Sequence, residues 1–223
     1  KSFVTGFGIQ TAGTTCGGDT GSAVNTSENY DGTNFSVSGT MNTARANLAS
    51  AGTQTAGIAY GGNNPPPGSS ASETYDGSSW TTGGDLNTEH YNLAGLGTQT
   101  AALAAGDAPA SNAVEEYNGS AWTTVTAMPE NKEASMGSGA QTAGMVFGGQ
   151  TPPYTGSTLL YDGTNWTATA PLSTGRESGA TGSGTSNTAG LCAGGNAAPS
   201  ITNATEEFTG GTETITSRTL TTS

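Results

Sequence analysis

Polar and small residues dominate the chain, and its apolar positions come in short runs rather than in helical stripes. Segments such as Leu93-Ala94-Gly95-Leu96-Gly97 and Gly57-Ile58-Ala59-Tyr60 are four or five residues long and lie between Gly, Asp-Gly or Asn-Gly signals. Runs of this length, bounded by turn residues, predict strands. No segment sustains a 3.6-residue period behind a capping residue, so no helix is predicted.

The runs recur along the chain. Thr53-Gln54-Thr55-Ala56 returns as Thr98-Gln99-Thr100-Ala101, and looser copies begin at Ile9, Ala140 and Ser186, a spacing of 42 to 46 residues. Each copy continues into small and apolar residues that end in a Gly pair: Gly17-Gly18, Gly61-Gly62, Gly148-Gly149 and Gly194-Gly195, with Gly106-Asp107 as the departure. An acidic-x-aromatic element follows at Glu28-Asn29-Tyr30, Glu73-Thr74-Tyr75, Glu115-Glu116-Tyr117 and Glu206-Glu207-Phe208; the fourth copy has Leu159-Leu160-Tyr161. Asp-Gly or Asn-Gly comes next in the first four copies and reads as a hairpin turn, both residues tolerating positive φ. Phe35, Trp80, Trp122 and Trp166 then open a fourth run, where the last copy has Glu213.

Four antiparallel strands in each repeat of about 45 residues are the mark of a propeller blade. The expected fold is therefore all-β: a five-bladed β-propeller with four antiparallel strands per blade. It forms one domain over residues 1–223, with repeats at about 1–44, 45–89, 90–131, 132–175 and 176–223, and blade five is expected to dock directly on blade one. Small residues belong to the crowded inner strands, while Tyr30, Tyr75, Tyr117, Tyr161 and the tryptophans belong to the wider outer gaps.

Composition then makes sense as packing rather than disorder. The 223 residues include 36 Gly, and only 10% are charged. Disorder normally goes with high charge density, which is missing here. The net charge of −12 argues against nucleic acid as a partner. No apolar run approaches the length of a membrane span.

The few cations are not scattered. Arg45, His90, Lys132 and Arg176 each fall ten residues after Phe35, Trp80, Trp122 and Trp166, and Lys1 occupies the matching place in the first repeat. One cation per repeat predicts a structural inter-blade partner, for which the third-strand carboxylates Glu28, Glu73, Glu115 and Glu206 are the candidates. Half-buried pairs of this kind fix docking geometry more than they add stability.

A Gly pair, an acidic-x-Tyr-Asp element, a Trp and a Met/Leu-x-x-x-Arg segment together resemble the kelch repeat. The wording "YDGTNW", "MNTAR", "LAGLGTQTA" and "AYGGN" is similar to kelch-like repeats in tail-fibre and structural proteins of marine cyanobacterial phages. That resemblance implies a non-enzymatic virion module, on a fibre or as a surface decoration, with other virion proteins and host-surface glycans as partners. A structural spacer without a ligand and the propeller domain of a secreted protein are the alternatives. No cofactor is implied.

Catalytic chemistry finds few residues. His90, the only histidine, sits at a repeat position and lacks the company a triad or a copper site needs. No closely spaced carboxylates form a calcium loop, so no metal site is expected. Cys16 and Cys192 fall on second strands of the first and last repeats at registers that point to opposite faces, so two packed thiols are expected rather than a disulfide. Strand order places the loops between second and third strands on one face of the disc, together with the crossovers between blades. These loops diverge most between repeats, one of them holding the Pro65-Pro66-Pro67 run. Ligand contacts are expected there, from Asn63, Asn64, Asp107 and Tyr154.

Overall fold

The computed structural model describes residues 1–64, 68–150, 153–182, 186–198 and 200–210, and the backbone of 216–219. The Pro65-Pro66-Pro67 run and Glu213 lie outside these residues. Every regular element among them is a strand. Blade one comprises β1 (Thr5–Ile9), β2 (Ala12–Cys16), β3 (Ser27–Tyr30) and β4 (Phe35–Val37). Blade two holds β5 (Ala49–Thr53), β6 (Ala56–Tyr60), β7 (Ser72–Tyr75) and β8 (Trp80–Thr82). Blade three has β9 (Ala94–Thr98), β10 (Ala101–Ala105), β11 (Val114–Tyr117) and β12 (Trp122–Thr124). Blade four has β13 (Met136–Ala140), β14 (Ala143–Phe147), β15 (Thr158–Tyr161) and β16 (Trp166–Thr169). Blade five is built from β17 (Ala180–Thr181), β18 (Ala189–Ala193), β21 (Ala204–Thr209) and β22 (Thr216–Thr219), with a small hairpin of β19 (Asn196–Ala197) and β20 (Ser200–Ile201) in its loop. Within each blade the four strands pair antiparallel in sequence order, and the five sheets form a five-bladed β-propeller.

Local chemistry sets the turns. Thr53 pairs with Ala56 around Gln54 and Thr55, and the same two-residue connection recurs in blades one, three and four. Gly52 enters this turn at φ +112°, where an added Cβ would lie 2.2 Å from the Ala56 carbonyl oxygen, so only glycine fits. The Asp-Gly and Asn-Gly hairpins form where expected. Only the glycine takes positive φ, and the loop spans four residues. Asp31 acts instead as an acceptor, its Oδ1 taking hydrogen bonds from the Thr33 and Asn34 amides at 2.8 and 2.7 Å. Asp76, Asn118 and Asp162 repeat the device.

The core lies between blades rather than within them. One cluster joins Phe7, Cys16, Met41 and Leu48 to Ala59, Tyr75 and Trp80 of blade two. Others bridge blades two and three, three and four, and four and five. Tyr and Trp of one blade stack on each other and face the preceding blade: Tyr75 and Trp80 have centroids 4.8 Å apart, with Phe7 edge-on to both. The Trp80 indole Nε1 donates to Ser27 Oγ and the Gly39 carbonyl, both in blade one.

Polar side chains reinforce this. Gln54 Nε2 donates to the Gly13 and Tyr30 carbonyls of blade one, both at 2.9 Å. Gln99 clamps Gly57 and Tyr75 in the same way, and Gln141 clamps Ala102 and Tyr117. The glutamine of the repeated TQTA motif is thus an inter-blade fastener. We expect Gln99→Ala to lower unfolding free energy by about 1–3 kcal/mol, because two carbonyls lose their donor. Exposed Thr100→Ala should stay within about 0.5 kcal/mol in the same urea titration.

Candidate functional site

The repeat cations occupy sockets that join consecutive blades. The Arg45 backbone belongs to blade one: its amide donates to the Val24 carbonyl, and its carbonyl accepts from Gly18. The Gly pair permits this approach, since a Cβ on Gly61 (φ +64°) would come within 2.8 Å of the equivalent His90 carbonyl. The Arg45 side chain runs into blade two, donating to the Gly61 and Ala71 carbonyls at 2.7 Å each and pairing with Glu73 at 2.9 Å. Neither charged group is accessible to solvent beyond 2%. Glu73 also accepts from the Asn42 amide and side chain and from the Thr43 amide, so its carboxylate is fully occupied. Arg176 and Glu206 form the equivalent buried pair in blade five, with Arg176 also capping Gly194 and Ala204.

One socket corrects the expected pairing. In blade four Leu159 removes the third-strand acid, and Lys132 pairs instead with Glu130 at 3.2 Å while capping the Gly148 and Ser157 carbonyls. Burial lowers the Lys132 pKa and Glu130 only partly opposes it. In blade one the Lys1–Glu28 pair forms as expected, 3.4 Å long and partly exposed. The other three pairs are buried more deeply than expected.

His90 is the third variation. Too short to reach the two carbonyls that arginine caps, it places Nε2 3.1 Å from Glu115 and Nδ1 3.2 Å from Asp107. Asp107 stands where other blades have the second Gly of the pair. Burial by itself would lower the His90 pKa, but the two carboxylates outweigh it and raise it to about 9. Glu115 shifts down because hydrogen bonds from His90, Asn87 and Thr88 outweigh its own burial.

The candidate ligand residues lie on the crossover face, but most are already engaged. Asp107 Oδ1 accepts the Tyr91 and Ala108 amides, while its Oδ2 faces His90. Asn63 Oδ1 accepts from Asn47 Nδ2 at 3.2 Å. The Tyr154 hydroxyl accepts from Asn196 Nδ2 at 2.6 Å, tying blade four to blade five. Asn64 is exposed.

The sequence did not reveal the mouth of the axis on that face. A cavity of about 480 Å³ opens there, lined by Phe3, Asn47, Asn92, Ala134 and Ser178. These five residues, one per blade, all hold φ between 50° and 55°. A belt of backbone hydrogen bonds maintains them, Asn47 to Phe3, Asn92 to Asn47, Ala134 to Asn92 and Ser178 to Ala134, at 2.7 to 3.1 Å. Left-handed backbone at non-glycine residues is uncommon, and it concentrates at functional places. Asparagine at two positions was the available signal, since it tolerates this conformation. A deeper cavity of about 580 Å³ continues along the axis and shares Gly6, Ser50, Gly95 and Gly137 with the mouth.

Both thiols are buried and unpaired with each other, Cys16 against blade two and Cys192 against Met136 of blade four. Burial pushes Cys16 up to about 12 and Cys192 to about 11, so neither supplies a thiolate near neutrality. No grouping of three metal-ligating side chains occurs among the described residues. Compared with protein-family models and with curated proteins, the chain matches none.

The His90 socket makes the fold pH-sensitive in a defined window. A histidine whose folded pKa is near 9, above the ordinary 6.5, contributes fully below pH 6.5 and loses that contribution as pH rises toward 9. Urea denaturation should show a loss of roughly 2–3 kcal/mol across this interval. The H90Q variant should be less stable at pH 6 and flat across the same range.

Proposed function

We propose that the chain is a non-enzymatic recognition module of a phage particle, carried on a fibre or as a surface decoration, that holds a neutral glycan at the axial mouth. The observation that carries this reading is the mouth itself, where exposed Phe3 lines the same opening as Ser178 and as Asn47 and Asn92, whose side-chain nitrogens donate to Asn63 and Glu133 and whose amide oxygens remain as acceptors. An aromatic face with neutral donors and acceptors is the chemistry that stacks and hydrogen-bonds a sugar ring. The chain's net charge of −12 leaves an acidic exterior, because Arg45, His90, Lys132 and Arg176 are buried. That disfavours nucleic acid. The kelch-like wording supports a binding or scaffolding role, and the phage assignment rests on that resemblance. His90 and both cysteines serve packing, which supports a role without catalysis.

A ligand-free spacer is the second reading. It is favoured by Asn63, Asp107 and Tyr154, whose polar groups are spent on contacts within the propeller.

A neutral-glycan array distinguishes the two. Wild-type protein should bind, and Phe3→Ala should weaken the retained glycan by about 1–1.5 kcal/mol, near tenfold. Asn64→Ala should weaken it less, and Thr33→Ala on the opposite face should leave it unchanged. Absence of any glycan signal supports the spacer; loss on Thr33→Ala would place the site on the wrong face.

A further inference from the structure

Blades one to four make the same turn between their third and fourth strands, and one of them begins it with a different residue. Asp31, Asp76 and Asp162 begin three of these turns. Asn118 begins the one between β11 and β12, and it is the only asparagine in the chain followed by glycine. Asn118 Oδ1 accepts the Ser120 and Ala121 amides at 3.0 Å each and Ser120 Oγ at 2.9 Å. Asp76 Oδ1 accepts the matching groups of blade two, the Ser78 and Ser79 amides and Ser78 Oγ, at 2.8 to 2.9 Å. A carboxamide in blade three and a carboxylate in blade two thus occupy one turn with one set of donors.

The surroundings of Asn118 favour attack on its side chain. Asn118, Gly119 and Ser120 are exposed to water. Gly119 holds φ +95° and has no side chain to shield its nitrogen, and among the described residues its amide donates to no acceptor. A bond from that nitrogen to Cγ of Asn118 closes a five-membered ring. The negative charge that develops as the ring closes falls on Oδ1, where the three donors already point. Donors held in advance against a developing oxyanion lower the barrier to addition at a carbonyl.

The aspartates of the other blades show where this chemistry ends. The Asn34 and Thr33 amides lower the pKa of Asp31, and the Ser79 and Ser78 amides lower that of Asp76. Near neutrality these carboxylates are ionised and carry no group that can leave. An anion also accepts amide donors more strongly than a carboxamide does. The shorter amide contacts of Asp76 agree with this order.

We propose that Asn118 is a self-modifying site, which the folded turn converts to aspartate in water. Base takes the Gly119 amide proton and the nitrogen bonds to Cγ of Asn118. The bond from Cγ to Nδ2 breaks, and ammonia leaves with a proton from water. Water then adds to Cγ of the cyclic imide and breaks its bond to the Gly119 nitrogen, which restores the main chain. One carboxamide and one water become one carboxylate and one ammonium, and nothing is oxidised or reduced. The donors on Oδ1 direct the water to Cγ. Addition at the main-chain carbonyl would instead give isoaspartate, lengthening the chain between Tyr117 and Trp122, which pair across the turn. The converted molecule has an Asp-Gly turn in each of blades one to four and one more negative charge. The inference rests on this turn and is independent of the glycan reading.

Native protein and the guanidinium-unfolded chain, incubated side by side at neutral pH and followed by peptide chromatography with mass spectrometry, test it. Asn118 should convert at least as fast in the native protein as in the unfolded chain, with aspartate as the main product. Ser120→Ala, which removes one donor, should slow the native conversion severalfold. Slower conversion in the native protein than in the unfolded chain would overturn the proposal, because the turn would then protect its asparagine. Isoaspartate as the main product, or a native rate that Ser120→Ala leaves unchanged, would overturn it too. The N118D variant adds a test without kinetics: it should unfold at the wild-type midpoint or above, and a lower midpoint would show that the turn rejects the product.

Discussion

Charge burial is the constraint on which the propeller depends. Its sheets meet face to face, and their inner strands, rich in Gly, Ala and Ser, could slide over one another. The cation at each blade junction removes that freedom. Arg45 has its backbone bonded to blade one and its guanidinium bonded to two carbonyls and a carboxylate of blade two. A displacement of either blade strands a charge in a region without water, which costs far more than the lost contact. The pair therefore specifies where the blades sit, while aromatic packing and the glutamine clamps add cohesion to that arrangement.

The same constraint explains why substitutions within the repeat come in pairs. Leu159 removes a carboxylate, and Glu130 on the preceding loop supplies another to Lys132. Histidine at position 90 cannot span to the carbonyls, and Asp107 adds a second carboxylate beside it. The Arg45 and Arg176 sockets share one route, and the Lys132 and His90 sockets each use another. What persists is a carboxylate beside each buried cation, not the identity of the members.

Repeat spacing made the fold legible. The TA motif, the Gly pair and the Tyr–Trp interval place all four strands of blades one to four where they occur, and the cation position predicted an inter-blade role for Arg45, His90, Lys132 and Arg176. The partners were less legible, because a pairing such as Lys132 with Glu130 depends on how a loop folds back and not on strand register. Lys1 and Glu28 pair as the pattern predicts yet stay less buried than the other pairs, since their surroundings depend on a neighbouring blade rather than on local sequence. The clamp role of Gln54 was hidden for a related reason: a turn residue's side chain can point toward another repeat. The axial mouth was hidden too, because it collects single residues from five distant segments. Its only trace in sequence was asparagine at positions 47 and 92.

A double-mutant cycle on Arg45 and Glu73, with R45M, E73Q and the combined variant followed by urea denaturation, tests the charge-burial account most directly. Each single change should cost about 3–5 kcal/mol by leaving one buried charge uncompensated, and the double variant should recover much of that loss. The matching cycle on exposed Lys1 and Glu28 should give little coupling. Additive losses for Arg45 and Glu73, with no recovery in the double variant, would contradict the claim that the buried pair is the element that sets blade docking.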